Sequence, residues 1–173
     1  YRNTLRSLFG FDLEVAVVEA EQTVVSDSSL VLKLLPTDPP GASGFINDTH
    51  AARLSPNLWD QYLHLSNAAL EKLFSKSGRT QLDELMGASL SDGWQPDDLS
   101  QKQAERLIRT FVPRALRRPA PEKQLSKMLS VISGKGGAEL LTATKFELRA
   151  VLMSPAFIYR GLLMKGEAGK QQA

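Results

Sequence analysis

Between residues 58 and 73 the apolar positions recur every three or four residues. Leu58, Tyr62, Leu65, Ala69 and Leu73 share one side, and Asp60, His64, Asn67 and Glu71 fall on the other. That period fits a 3.6-residue turn and predicts an amphipathic helix over Ser55 to Phe74 with one buried face. Ser55 is placed as its N-cap and Pro56 as its first helical residue, with Leu54 able to pack on Trp59 as a staple. A second stripe of Ala104, Leu107, Ile108, Phe111 and Ala115 follows Ser100, whose spacing to Gln103 fits a capping box. It predicts a helix from Ser100, kinked or ended by Pro113 and stopped by Pro119. Leu125, Met128, Leu129 and Ile132 predict a helix over 121–132. Leu140, Leu141, Leu148, Val151 and Leu152 predict one over Gly137 to Met153 that yields before Pro155.

The start of the chain is less regular. Residues 1–9 read as the end of a helix closed at Gly10 by a left-handed glycine cap. Over 13–35, the runs Val15 to Val18, Val24-Val25 and Leu30 to Leu35 fit short strands or one frayed helix equally. The prolines and glycines of 36–44 mark a loop. Residues 78–96 are polar and glycine-bearing, with room for a short helix near Leu82 to Met86. The pattern predicts a mainly α protein of two small helical clusters, five to seven helices in all, with one ambiguous stretch near the N-terminus. The units are expected at 1–76, including a loop at 36–54, and at 99–165. A linker is expected over 77–98 and a mobile tail over 166–173.

Composition narrows the chemistry. Among 173 residues there is no cysteine, which excludes disulfides, thiolate metal sites, iron–sulfur clusters and covalent haem attachment within the chain. The two histidines, His50 and His64, do not assemble a catalytic zinc site by themselves. No run of about 18 apolar residues suggests a membrane-spanning helix. The chain opens on Tyr1 without an initiator methionine, which reads as a boundary in a longer protein, any export signal or anchor lying beyond it.

Charge is distributed unevenly. Residues 1–100 carry seven Lys/Arg against fourteen Asp/Glu, whereas residues 101–173 carry fourteen against five. Opposition of this kind fits intrachain complementarity, and less readily an anionic partner of the second half. Nucleic acid is disfavoured by the low aromatic content, the acidic first half and the lack of a known binding module.

Four local patterns bear on function. Gly134-Lys135-Gly136-Gly137 before a helix resembles part of a phosphate loop, but the full glycine and lysine spacing is missing and a helix precedes it, so an interhelical turn is expected. Asp38, Asn47, Asp48 and Thr49 offer oxygen ligands without EF-hand spacing, which favours a hydrogen-bonded loop over a calcium site. No nucleophile–His–acid arrangement or carboxylate pair stands out. Arg114 and Arg118 are placed by ideal helical geometry beside the Leu107 and Phe111 stripe, which predicts charge-assisted bonds to carboxylates or carbonyls; Arg106, Arg109 and Arg117 point elsewhere.

Short strings spread along the chain carry a resemblance: Tyr1-Arg2-Asn3-Thr4 with Leu8-Phe9-Gly10, then Gly44-Phe45-Ile46-Asn47-Asp48, then Leu54-Ser55-Pro56 with Gln61-Tyr62-Leu63. Further on come Phe111-Val112-Pro113-Arg114-Ala115-Leu116-Arg117-Arg118-Pro119 and Ser154-Pro155-Ala156-Phe157-Ile158-Tyr159-Arg160. In content and order they resemble an uncharacterised multidomain family of planctomycetes and related bacteria, whose members often carry a cytochrome c module upstream. The stretch 14–35 is longer than in that family, and 75–100 is much shorter than in members that insert a domain there. The resemblance implies an exported, cell-envelope setting with haem on a neighbouring domain or chain and no cofactor in this one. It implies no activity. The interaction candidates are Asn47, Asp48, Arg114, Arg118, Tyr159 and Arg160.

The expected function is a non-catalytic scaffold or interaction region of an exported, cytochrome-associated multidomain protein. Its partner would be protein: other parts of the same polypeptide, a larger assembly, or a cytochrome c module. Two alternatives stand beside it: part of an enzyme completed by a downstream region, and an anion- or nucleic-acid-binding module.

Overall fold

The computed structural model describes residues 1–19, 22–35 and 56–158, with backbone alone at 2, 14–19, 22–29, 32 and 33. The protein is mainly α. The chain divides into two compact units, Tyr1–Asp98 and Leu99–Ala173.

In the first unit, α1 (Arg2–Phe9) ends at Gly10, whose φ of 72° lets its amide close back on the Arg6 carbonyl at 2.8 Å. The stretch that fitted strand or helix forms both. β1 (Glu14–Glu19) and β2 (Gln22–Ser29) pair antiparallel with Val15 opposite Ser26 and Val18 opposite Thr23, and a register shift lies between Glu14 and Val15. A short helix, α2 (Leu30–Leu34), follows directly. Two valine-rich segments separated by two residues satisfy each other's backbone groups as a hairpin, which a single frayed helix of β-branched residues does poorly.

The long helix α3 (Pro56–Leu73) organises this unit. Of the predicted stripe Leu65, Ala69 and Leu73 are buried and Leu58 and Tyr62 half-buried; Leu70 is buried as well, and His64 is exposed as expected. Ser66 is buried too, and its hydroxyl meets the Tyr1 hydroxyl at 3.1 Å while the Tyr1 and Tyr62 rings pack 4.7 Å apart. Lys72 donates to the Asp12 carbonyl at 2.9 Å and lies over the Phe11 ring, tying α3 to the segment after α1. Ser55, Leu54 and the 36–54 loop fall outside the described residues.

The expected linker at 77–98 is instead a built part of the first unit. A 3-10 turn (Lys76–Gly78) leads into α4 (Arg79–Met86), which buries Leu82, Leu85 and Met86. A second 3-10 turn covers Pro96–Asp98. The short helix expected near Leu82 to Met86 is α4, whose eight residues present three large apolar side chains on one face and leave the rest wet.

In the second unit, α5 (Gln101–Leu116), α6 (Glu122–Ile132), α7 (Gly137–Leu152) and α8 (Pro155–Ile158) share one core. The Ser100–Gln103 capping box is formed in both directions. Proline does not end α5: the helix runs through Pro113 to Leu116 and stops at Arg117, a left-handed residue with φ 52°. The reason is burial on both sides of the proline. Val112 and Ala115 sit in the core with Leu107, Ile108 and Phe111, and that apolar contact outweighs the roughly 3 kcal/mol that an interior proline costs. Leu125, Met128 and Ile132 of α6 and Leu140, Leu148, Val151 and Leu152 of α7 complete the core, with Leu129 and Leu141 half-buried. The Gly134–Gly137 stretch is a plain interhelical turn with positive φ at Gly134 and Gly137, and Lys135 pairs with Glu139. The 166–173 tail lies outside the described residues.

Candidate functional site

A cleft of about 520 Å³ opens in the first unit between the end of α3, the start of α4 and the loop 87–98. Its construction begins at Gly78, where the turn crosses so near α3 that a Cβ would stand 2.1 Å from the Lys72 carbonyl oxygen. The turn sets Arg79 at the head of α4. From there its Nε reaches Asp83 Oδ1 at 3.4 Å, its Nη2 donates to the Ser91 carbonyl, and its guanidinium lies 5.0 Å from the Trp94 ring centre. Gly87 closes α4 with φ 59° and turns the chain back along the helix. The returning loop is held at several points. Asp83 accepts from the Leu90 amide at 3.1 Å, the Trp94 amide donates to the Ser91 carbonyl at 3.0 Å, and Asp98 accepts from the Gln95 amide at 2.8 Å. Besides Arg79 and Asp83 the walls include Phe74, Lys76, Leu90, Asp92, Trp94 and Gln95. The Trp94 Nε1 hydrogen is enclosed and has no hydrogen-bond partner among the described residues.

A different surface marks the second unit. On α5 the positions opposite the buried stripe carry Lys102, Arg106 and Arg109, spaced by four and three residues, all exposed. Arg114 in the last turn of that helix, and Arg117, Arg118 and Lys123 beyond it, are exposed cations too. Glu122 meets Arg109 at 3.4 Å, largely in solvent, where an ion pair contributes little. On α7 the unit buries Thr144 and Glu147; burial pushes the Glu147 carboxyl above its ordinary value, against a smaller opposite pull from Lys127. The Thr144 hydroxyl has no partner among the described residues. No group of three His, Asp or Glu side chains placed to hold a metal occurs among the described residues, and none of their helices is long and apolar enough to cross a membrane.

Arg114 and Arg118, expected beside the buried face, are both exposed. Arg114 does lie next to Leu107 in helical angle, at the exposed edge of the buried stripe. For Arg118 the helical geometry does not apply, because α5 has already ended at Leu116. Truncating Arg118 to alanine is expected to cost what an exposed side chain does, within about 0.5 kcal/mol by urea denaturation. Asn47, Asp48, Tyr159, Arg160 and His50 lie outside the described residues. The sequence reading missed the cleft altogether, although Arg79 and Asp83 four residues apart and a lone tryptophan in a polar stretch were visible signals.

No curated protein and no solved structure matches the chain. Two family models do match it, one to each compact unit: residues 1–75 are similar to "PSD3: Protein of unknown function (DUF1587)", and residues 103–161 are similar to "PSD5: Protein of unknown function (DUF1595)".

Proposed function

We propose that the chain is a non-catalytic interaction region of an exported, cytochrome-associated multidomain protein, with the second unit as its docking element. The observation that carries this reading is the exposed cationic face of α5, Lys102, Arg106 and Arg109, continued by Arg114, Arg117 and Arg118. Cations ordered on a rigid helix favour a partner with a complementary negative surface and speed its encounter. The chosen partner is an acidic protein surface, with a c-type cytochrome module first among the candidates. The resemblance of the sequence strings and the succession of the two matched families support that choice. Haem would then reside on that module, and the setting would be the cell envelope.

The test is binding of the purified chain to a separately produced planctomycete-type cytochrome c module at increasing ionic strength. Saturable binding at low salt, weakened by salt and lost in the triple variant Lys102→Glu, Arg106→Glu, Arg109→Glu, supports the proposal. No saturable binding at low salt sinks it. Binding of heparin with the same dependence on these three residues, and none of the cytochrome module, would move the assignment to a polyanion-binding module.

A further inference from the structure

The cleft of the first unit matches neither of these surfaces in character. We propose that the cleft between α4 and the loop 87–98 binds a neutral saccharide, which packs against Trp94 and presents its hydroxyls to Asp92, Gln95 and Lys76.

Charge sets the ligand class. Two cations, Lys76 and Arg79, and two carboxylates, Asp83 and Asp92, line the space, so the walls carry no net sign. Arg79, the group best suited to clamp an anion, is engaged with Asp83, the Ser91 carbonyl and the Trp94 ring. A charged ligand would meet as much repulsion as attraction. The remaining lining alternates apolar surface from Leu90, Trp94 and Pro96 with hydrogen-bonding groups from Asp92, Gln95 and Lys76. A pyranose has the same division: its ring faces present C–H groups that pack on an aromatic surface, and its rim presents hydroxyls that both donate and accept. A purely apolar ligand would strand those polar walls without partners.

The remaining features agree with that class. A volume of about 520 Å³ lies within the ordinary range for a small-molecule site and admits one or two sugar rings. Trp94 is half-buried in the wall, so part of its indole surface is open to a ligand in the cleft. The loop is pinned by Arg79 and Asp83, so little ordering remains to be done on binding.

Tryptophan emission reads the site directly, because the chain has two tryptophans and only Trp94 lines the cleft. In a Trp59→Phe background, glucose, galactose, mannose, cellobiose and maltose are titrated alongside sodium phosphate and sodium acetate. The expected result is a saturable change in emission with at least one of the sugars, in the millimolar range, and none with the two anions. Asp92→Asn, a substitution at an exposed side chain that leaves the fold in place, should then weaken the effective sugar about tenfold, the loss of one hydrogen bond to a charged group. Calorimetry on Trp94→Ala should show no binding, and on Trp94→Phe weakened binding. Absence of saturation with all five sugars overturns the proposal. So does saturable binding of phosphate or acetate in their place, or sugar binding that persists unchanged in Trp94→Ala. Cytochrome binding by the second unit is read separately, so either result can fail without the other.

Discussion

An alanine at position 78 would place its Cβ 2.1 Å from the Lys72 oxygen and 2.6 Å from the Leu73 oxygen, both backbone atoms at the end of α3. Neither can swing aside as a side-chain tip would. Gly78→Ala is therefore expected to lose about 3 kcal/mol, at the upper end of overpacking penalties, by urea denaturation. The near-UV signal of Trp94 should change with it, since the turn sets Arg79 and thereby the cleft wall. Glu147 gives a second prediction at this scale. Its carboxyl lies above its ordinary value of 4.5, mainly because burial disfavours the charge. The folded state therefore holds that proton more tightly than the unfolded chain does. This contribution is most favourable at low pH and is lost as pH rises from 4.5 through the folded value. Glu147→Gln should flatten that fall and raise stability at neutral pH, as followed by denaturation midpoints across pH 4 to 8. A midpoint that declines over this window identically in both proteins would rule the assignment out.

Helix ends, rather than helix faces, separate what the sequence disclosed from what it did not. The apolar stripes of α3, α5, α6 and α7 were legible because each is buried against its own unit on one side, and the Ser100 box was legible because its chemistry is local. Ser100→Ala should accordingly cost about 1 kcal/mol, measured by thermal or urea unfolding. The stop before Pro119 was legible, but the passage of α5 through Pro113 was not. It is decided by Val112 and Ala115 in the core, a tertiary effect that overrides the proline signal and leaves Arg117 left-handed at φ 52°. Replacing Arg117 by glycine should relieve that strain and raise stability by up to about 1 kcal/mol, less whatever its side chain contributes. The hairpin escaped for a related reason: Ala20-Glu21 between its strands is not one of the glycine or asparagine pairs that announce a tight turn. The cleft was hidden because its parts are polar loop residues that acquire meaning only when α4 and the returning loop are brought together.

At the scale of the whole molecule, each compact unit contains one matched family segment, and the cleft is built largely from residues between the two segments. The first unit buries its core around α3 and α4, the second around α5 and α7. The boundary between Asp98 and Leu99 also falls where the charge changes sign, since the first 98 residues hold the same seven cations and fourteen anions counted over the first hundred. A formal charge of +2 thus describes neither unit. On an ion-exchange column at neutral pH and low salt, the intact chain should be retained by both anionic and cationic resins, meeting each with a different unit. Proteolysis confined to the 98–99 junction should divide it into one fragment held only by the anion exchanger and one held only by the cation exchanger. Along the sequence the protein is thus an anionic unit followed by a cationic one, and its net charge is the small remainder of the two.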